Sequence, residues 1–356
     1  MHATWVSFLL GLVVASQWSA ASTAANTTSD ALNLPACAFR STVPSVPLWN
    51  AARPGLMMPI VGLGTGHCNP RQGGECMNNK TARRATLDFL RAGGRRIDTA
   101  ITYHDQTGIG RAIRHSRVPR EEVFITSKVG PGLPLGYQDI LDQTQTVLKE
   151  LNTSYVDLLL IHWPGPPGNS SDADCRPPHI NYTLCRLNSW RAMIKVLQMG
   201  SAHAIGISNY EFRHVGELLF SGLVFPAVNQ VEFHPYFEER PLKTYCNQHN
   251  ITYNGYSPFA ANDWAPYFHH WPHSLLNDTM LQKIATAHGR TPAQVALRFQ
   301  VQLGLVVNPR TQNFEHMKEN VNIFDFELSQ DDMTQITYLT PPSDNPKIFP
   351  DPYKIP

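Results

Sequence analysis

The sequence predicts a (β/α)8 barrel with a short N-terminal β-hairpin and long loops over its mouth. Three observations carry this prediction. Eight short apolar runs alternate with helix-length amphipathic stretches, the signature of repeated strand–helix units. The runs are continuous in Val, Ile and Leu rather than alternating, as strands buried on both faces of a parallel sheet require. Each run also carries a polar or ionisable residue at or near its C-terminal end, although its body is apolar.

In order, the predicted strands are MPIVGLGT (58–65), RRIDTA (95–100), VFITSK (123–128), VDLLLIH (156–162), AHAIGIS (202–208), AVNQVEF (227–233), ITYNGYS (251–257) and LGLVVNPR (303–310). Predicted helices lie near 80–92, 107–115, 137–151, 187–199, 211–221, 240–249, 281–303 and 314–321. A doubly wound sheet is the alternative. Its phosphate fingerprint is missing, because GLGTGH at 62–67 lacks the third glycine that lets a helix pack on the first strand. In a barrel, the C-terminal strand ends converge on one mouth, where chemistry is built. They are Thr65, Asp98, Lys128, His162, Ser208 with Asn209, Gln230, Tyr256 and Arg310.

That ring suggests a proton-donating device. Asp98 and Lys128 would pair, and Tyr103 follows Asp98 closely. A phenol is a poor acid near neutrality unless a cation favours its phenolate, and moving it from about 10 to about 7 takes roughly 4 kcal/mol. A neutral His162 could hydrogen-bond a substrate oxygen. Together these protonate a developing alkoxide, the need of carbonyl reduction by a hydride that only a cofactor can supply.

The chain resembles the aldo-keto reductases over roughly residues 55–340. The resemblance rests on GLGT (62–65), IDTA…Y (97–103), SK (127–128), LLLIHWP (158–164), GISNY (206–210), NQVEFHP (229–235), YSP (256–258) and NPRT…KEN (308–320). It implies a tetrad of Asp98, Tyr103, Lys128 and His162, with Tyr103 as general acid. It implies that Ser208, Asn209 and Gln230 hold the nicotinamide carboxamide, that Tyr256 stacks on the ring, and that Thr65 and Asp98 line its ribose. His162, rather than the Glu of enone-reducing members, implies a simple carbonyl. At the adenosine end the family commonly has Lys-Ser and a later Arg. Here Arg310, Thr311 and His316 take those places, and Asn320 matches the adenine contact, implying NADPH over NADH with a reduced preference.

Substrate contacts depart further from the resemblance. Gly66 and Gly130 stand where many members carry aromatic residues, while Trp163 remains after the catalytic histidine. Segments 163–188, 260–280 with Trp264 and Trp271, and 341–356 would rim the site. A bulky or hydrophobic carbonyl, such as a ketosteroid or large aldehyde, is the expected substrate. His269, His270 and His273 lie in a Trp/Pro-rich loop with no acidic or Cys residue between them, so no metal is expected.

Composition fits this picture. The net charge of +1 and 16% charged residues argue against a nucleic-acid partner. Residues 5–15 form an apolar run too short to cross a bilayer, followed by small residues, as in a secretory signal peptide over 1–25. A buried N-terminal helix is the other reading. A single domain over 26–356 would follow, without a membrane anchor and as a monomer. Sequons at Asn26, Asn79, Asn152, Asn169, Asn181, Asn250 and Asn277, with an even six cysteines, suit a secreted or endoplasmic-reticulum protein. Cys68/Cys76 and Cys175/Cys185 are the first pairing expectation, leaving Cys37/Cys246 by elimination; free thiols are the alternative. A secreted binding protein that keeps the site without turnover is the competing function.

Overall fold

Largely buried strands alternating with amphipathic helices close into the expected barrel. The computed structural model describes residues 41, 43–66, 77–130, 132–165, 168–260, 274–341 and 346–356. They belong to the compact unit Cys37–Pro356. The apolar run 5–15, Asn26, Cys37, the Cys68/Cys76 pair, Trp264, Trp271 and the three loop histidines lie outside the described residues.

A hairpin comes first, with β1 (Ser45–Pro47) antiparallel to β2 (Met57–Pro59). Eight parallel strands follow: β3 (Leu63–Gly64), β4 (Arg96–Asp98), β5 (Phe124–Val129), β6 (Val156–Ile161), β7 (Ala202–Ser208), β8 (Val228–Glu232), β9 (Thr252–Tyr256) and β10 (Val306–Asn308). A parallel bridge between Val61 and Val307 joins first strand to last. The single run predicted over 58–65 is therefore two strands. Its beginning pairs in the hairpin, and only its end enters the barrel.

Ten helices surround the strands among the described residues: α1 (Asn79–Arg91), α2 (Gln106–Ser116), α3 (Tyr137–Leu151), α4 (Tyr182–Gln198), α5 (Phe212–Phe220), α6 (Arg240–Gln248), α7 (Thr279–Ala287), α8 (Pro292–Gln302), α9 (Phe314–Val321) and α10 (Gln330–Thr337). The helix predicted over 281–303 is broken into α7 and α8. Gly289 turns with φ +60°, and Thr291 and Gln294 form a capping box ahead of Pro292. That is a helix start written inside a continuous apolar pattern. No helix among the described residues is long and apolar enough to cross a membrane.

Cys175 and Cys185 form a disulfide that ties the loop after β6 to the first turn of α4. The expected Cys37/Cys246 pair is not made. Cys246 is a free, fully buried thiol, pushed up to about 12 by burial, with Asn229 Nδ2 3.7 Å from its sulfur. It packs on the inner face of α6, where elimination had no access to burial.

Candidate active site

The strand ends deliver Asp98, Lys128 and His162 to one buried cluster, and the 3-10 turn Ile101–Tyr103 adds Tyr103. Lys128 is 1% exposed; its ammonium donates to Asp98 Oδ1 at 2.5 Å and to the Thr99 carbonyl at 2.9 Å. It also lies 5.0 Å from the Tyr103 ring centroid. Burial disfavours the ammonium, yet Asp98 and Tyr103 outweigh it, and the Lys128 pKa is raised. The lysine is a fixed cation.

Tyr103 Oη stands 3.4 Å from His162 Nε2, with the two rings edge to face. Burial and then the Lys128 charge lower the histidine pKa well below its ordinary value, so the imidazole is neutral. One expectation is corrected here. The Tyr103 pKa is raised, not lowered, because burial outweighs the attraction of Lys128 and Asp98 adds to it. The sequence names the charged neighbours of a phenol but not how dry its surroundings are.

The predicted nicotinamide residues adjoin this cluster. Gln230 Nε2 donates to the free oxygen of Asp98 at 2.7 Å and to Asn254 Oδ1 at 3.1 Å. Asn209 takes a left-handed backbone (φ +60°), donates to the His162 carbonyl at 3.0 Å and to Ser208 Oγ at 3.1 Å, and accepts from Tyr256 Oη at 2.8 Å. Thr65 Oγ1 donates to the Asp98 carbonyl at 3.2 Å. Across the mouth, Arg310 and Thr311 precede the start of α9, where unpaired N–H groups favour anions. His316 is exposed with Nδ1 3.5 Å from Thr311 Oγ1, and Asn320 is buried. A buried amide set at one end and the Arg310 guanidinium ahead of a helix start at the other fit a nicotinamide dinucleotide.

Trp163 is half-buried directly after His162. At Gly66 an added Cβ would lie 3.6 Å from Tyr103 Oη, so a side chain at this position would rest against the phenol. The tail 346–356 lies along the mouth. Glu232 accepts the backbone N–H groups of Ile348 at 2.7 Å and Phe349 at 3.1 Å, and Phe349 meets Tyr256 edge-on at 5.3 Å between centroids. Farther along, Arg186 donates to the Pro356 backbone oxygen at 2.7 Å. Glu232 lies inside the quoted NQVEFHP motif, where His234 Nε2 stands 3.1 Å from its Oε1, and the tail's path adds two backbone donors.

The Aldo/keto reductase family profile matches residues 61–340. The chain belongs to this family. It is 36% identical over 294 residues to 9,11-endoperoxide prostaglandin H2 reductase of Trypanosoma cruzi, covering 83% of this chain and 90% of that protein. Glyoxal reductase of Bacillus subtilis is 35% identical over 285 residues, covering 80% and 90%. Among solved structures, a Bombyx mori aldo-keto reductase in complex with NADP superposes with TM-score 0.72 at 29% identity, covering 83% of this chain and 92% of that one. As an aldo-keto reductase, the protein is an NAD(P)H-dependent oxidoreductase acting on small carbonyl compounds.

Proposed function

We propose that the protein reduces a bulky or hydrophobic aldehyde or ketone with NADPH, using Tyr103 as the proton donor. The observation that carries the reading is the phenol of Tyr103 held between neutral His162 and the Lys128–Asp98 pair, with Gly66 placing no side chain against it. Bound NADPH supplies the hydride. Ser208, Asn209 and Gln230 would hold the carboxamide and Tyr256 the ring, while Arg310, Thr311, His316 and Asn320 would take the adenosine phosphate end. His162 donates a hydrogen bond to the carbonyl oxygen and orients it. As the carbon accepts the hydride, the oxygen takes the Tyr103 proton, and solvent returns a proton to the phenolate that Lys128 stabilises. The raised Tyr103 pKa supports this direction, since the phenol stays protonated at neutral pH.

The test is loss of NADPH absorbance with aldehydes and ketones from glyceraldehyde to ketosteroids, repeated with NADH. Faster turnover of large apolar carbonyls and a preference for NADPH are expected. Equal rates across the panel would overturn the substrate assignment. Gly66→Trp should set a ring against Tyr103, lowering kcat/KM for the largest substrates at least tenfold and for the smallest only slightly. Uniform loss across sizes would mean damage to the tetrad instead.

We also propose a secreted or endoplasmic-reticulum glycoprotein that acts as a monomer. The apolar run 5–15, the Cys175–Cys185 disulfide and six exposed sequon asparagines (Asn79, Asn152, Asn169, Asn181, Asn250 and Asn277) support it. Expression in a eukaryotic secretory host should give protein in the medium whose mass falls on deglycosylation. Retention in the cytosol as unmodified protein would refute it.

A further inference from the structure

Asp105 lies fully buried between the tetrad and α2, and no role above uses it. It occupies the position just before α2, from which an aspartate ordinarily accepts N–H bonds of the first turn. Its side chain makes no such bond. The helix start is served instead by the Asp105 carbonyl, which accepts from Gly108 and Ile109, and by Asn79 Oδ1, which accepts from Gly108 at 2.8 Å.

The carboxylate is turned toward the catalytic cluster. Oδ1 accepts from Thr99 Oγ1 at 2.6 Å. Oδ2 is buried with no hydrogen bond among the described residues, and the nearby Thr65 hydroxyl is committed to the Asp98 carbonyl. Thr99 is the link, because its carbonyl is the second acceptor of the Lys128 ammonium. A buried carboxylate that neither caps its helix nor meets solvent is costly to keep. Its position behind Lys128 gives it an electrostatic use.

We propose that Asp105 is a positioning residue for proton transfer, whose carboxylate, relayed through Thr99 and facing Lys128, sets the acid strength of Tyr103. The inference rests on the reductase reading above. Lys128 from β5, Asp98 from β4 and Tyr103 itself are the titratable groups around it; on the helix side Gln106 donates to Glu150 of α3, and α1 presents the neutral Asn79. Burial raises the Asp105 pKa to about 6, against the Thr99 hydrogen bond, the neighbouring Thr65 hydroxyl and the pull of Lys128. Above that pH its negative charge opposes loss of the Tyr103 proton, as Lys128 favours it. Removing the charge should therefore make the phenol a stronger acid.

Two neutral replacements of different shape, Asp105→Asn and Asp105→Ser, test this. The basic limb of the kcat/KM profile should move down by roughly half to one pH unit in both, since the shift follows charge and not shape. A second readout needs no cofactor: the tyrosinate absorbance titration of each protein minus that of its Tyr103→Phe counterpart. The same downward shift is expected there. An unmoved midpoint in both readouts, or shifts of opposite sign in the two variants, would overturn the inference and leave Asp105 a structural residue. Absence of turnover in the unsubstituted protein would count against the reductase reading instead, and the titration would still judge Asp105.

Discussion

Tyr103→Phe is expected to lower kcat by roughly 10²–10⁴-fold, the range in which a positioned proton donor contributes. Fold and NADPH binding should be nearly unchanged. The phenyl ring keeps its edge contact with His162 and its place near Lys128. The hydroxyl's partners are His162 Nε2 at 3.4 Å and the Lys128 ammonium, and that ammonium keeps Asp98 and the Thr99 carbonyl when the hydroxyl goes. Steady-state kinetics and NADPH fluorescence titration of the same preparation separate the two effects. Residual activity above a tenth of normal would remove Tyr103 as the donor. NADPH binding to the unsubstituted protein with no turnover of any carbonyl would revive the binding-protein reading.

His162 adds a pH expectation to that experiment. Its pKa is depressed by burial and by Lys128, so it stays neutral well below 6.5. Activity should not fall as pH drops through the ordinary histidine range, because the imidazole is not gaining a proton there. A loss with a midpoint near 6.5 would mean that the site is wetter than the structure has it.

The polar strand ends were legible because a parallel strand buried on both faces has no reason to end on Lys, Asp or His except at the mouth. What one residue does to a distant one was not legible. Nothing in RRIDTA shows that Arg96 reaches the carbonyls of Pro59 and Ile60, which belong to a run predicted as a single strand. The apolar pattern of 281–303 masked the Thr291–Pro292 helix start, since both helices bury the same kind of face. Asp105 reads locally as a helix cap, and only its burial and the hydroxyl of Thr99 reveal another use. The Tyr103 pKa moved against expectation for a related reason, because desolvation belongs to the whole fold and not to a neighbour in sequence.

Arg96→Met should cost about 3–5 kcal/mol of stability, among the largest losses available to one substitution here. Arg96 is fully buried within the barrel, where burial lowers its pKa to about 10 and leaves it cationic at neutral pH. Its guanidinium donates to the carbonyls of Pro59 at 2.7 Å, Ile60 at 3.1 Å and Val307 at 2.8 Å, and to Asn308 Oδ1 at 2.6 Å. These acceptors flank the seam where first strand meets last, held otherwise by the Val61–Val307 bridge and a few backbone bonds such as Gly64 N–H to the Pro309 carbonyl at 3.0 Å. The same crowding explains Gly62, where a Cβ would lie 2.7 Å from the guanidinium carbon. A methionine fills the volume but leaves the Pro59 carbonyl and the Asn308 amide oxygen without that donor, and unmade buried bonds are what cost most. Arg96→Lys should recover only part of the loss, because one ammonium cannot reach acceptors spread around a planar fork. Urea unfolding followed by fluorescence measures both variants, and a loss below about 1 kcal/mol for Arg96→Met would show that the seam closes without it. The site should feel the change less than the fold does. Arg96 also reaches Asn254 Oδ1 at 3.4 Å, which accepts from Gln230, and Gln230 in turn holds Asp98. The arginine therefore reaches the tetrad through two amides and through its charge near Asp98, whereas it touches the barrel seam by direct hydrogen bonds.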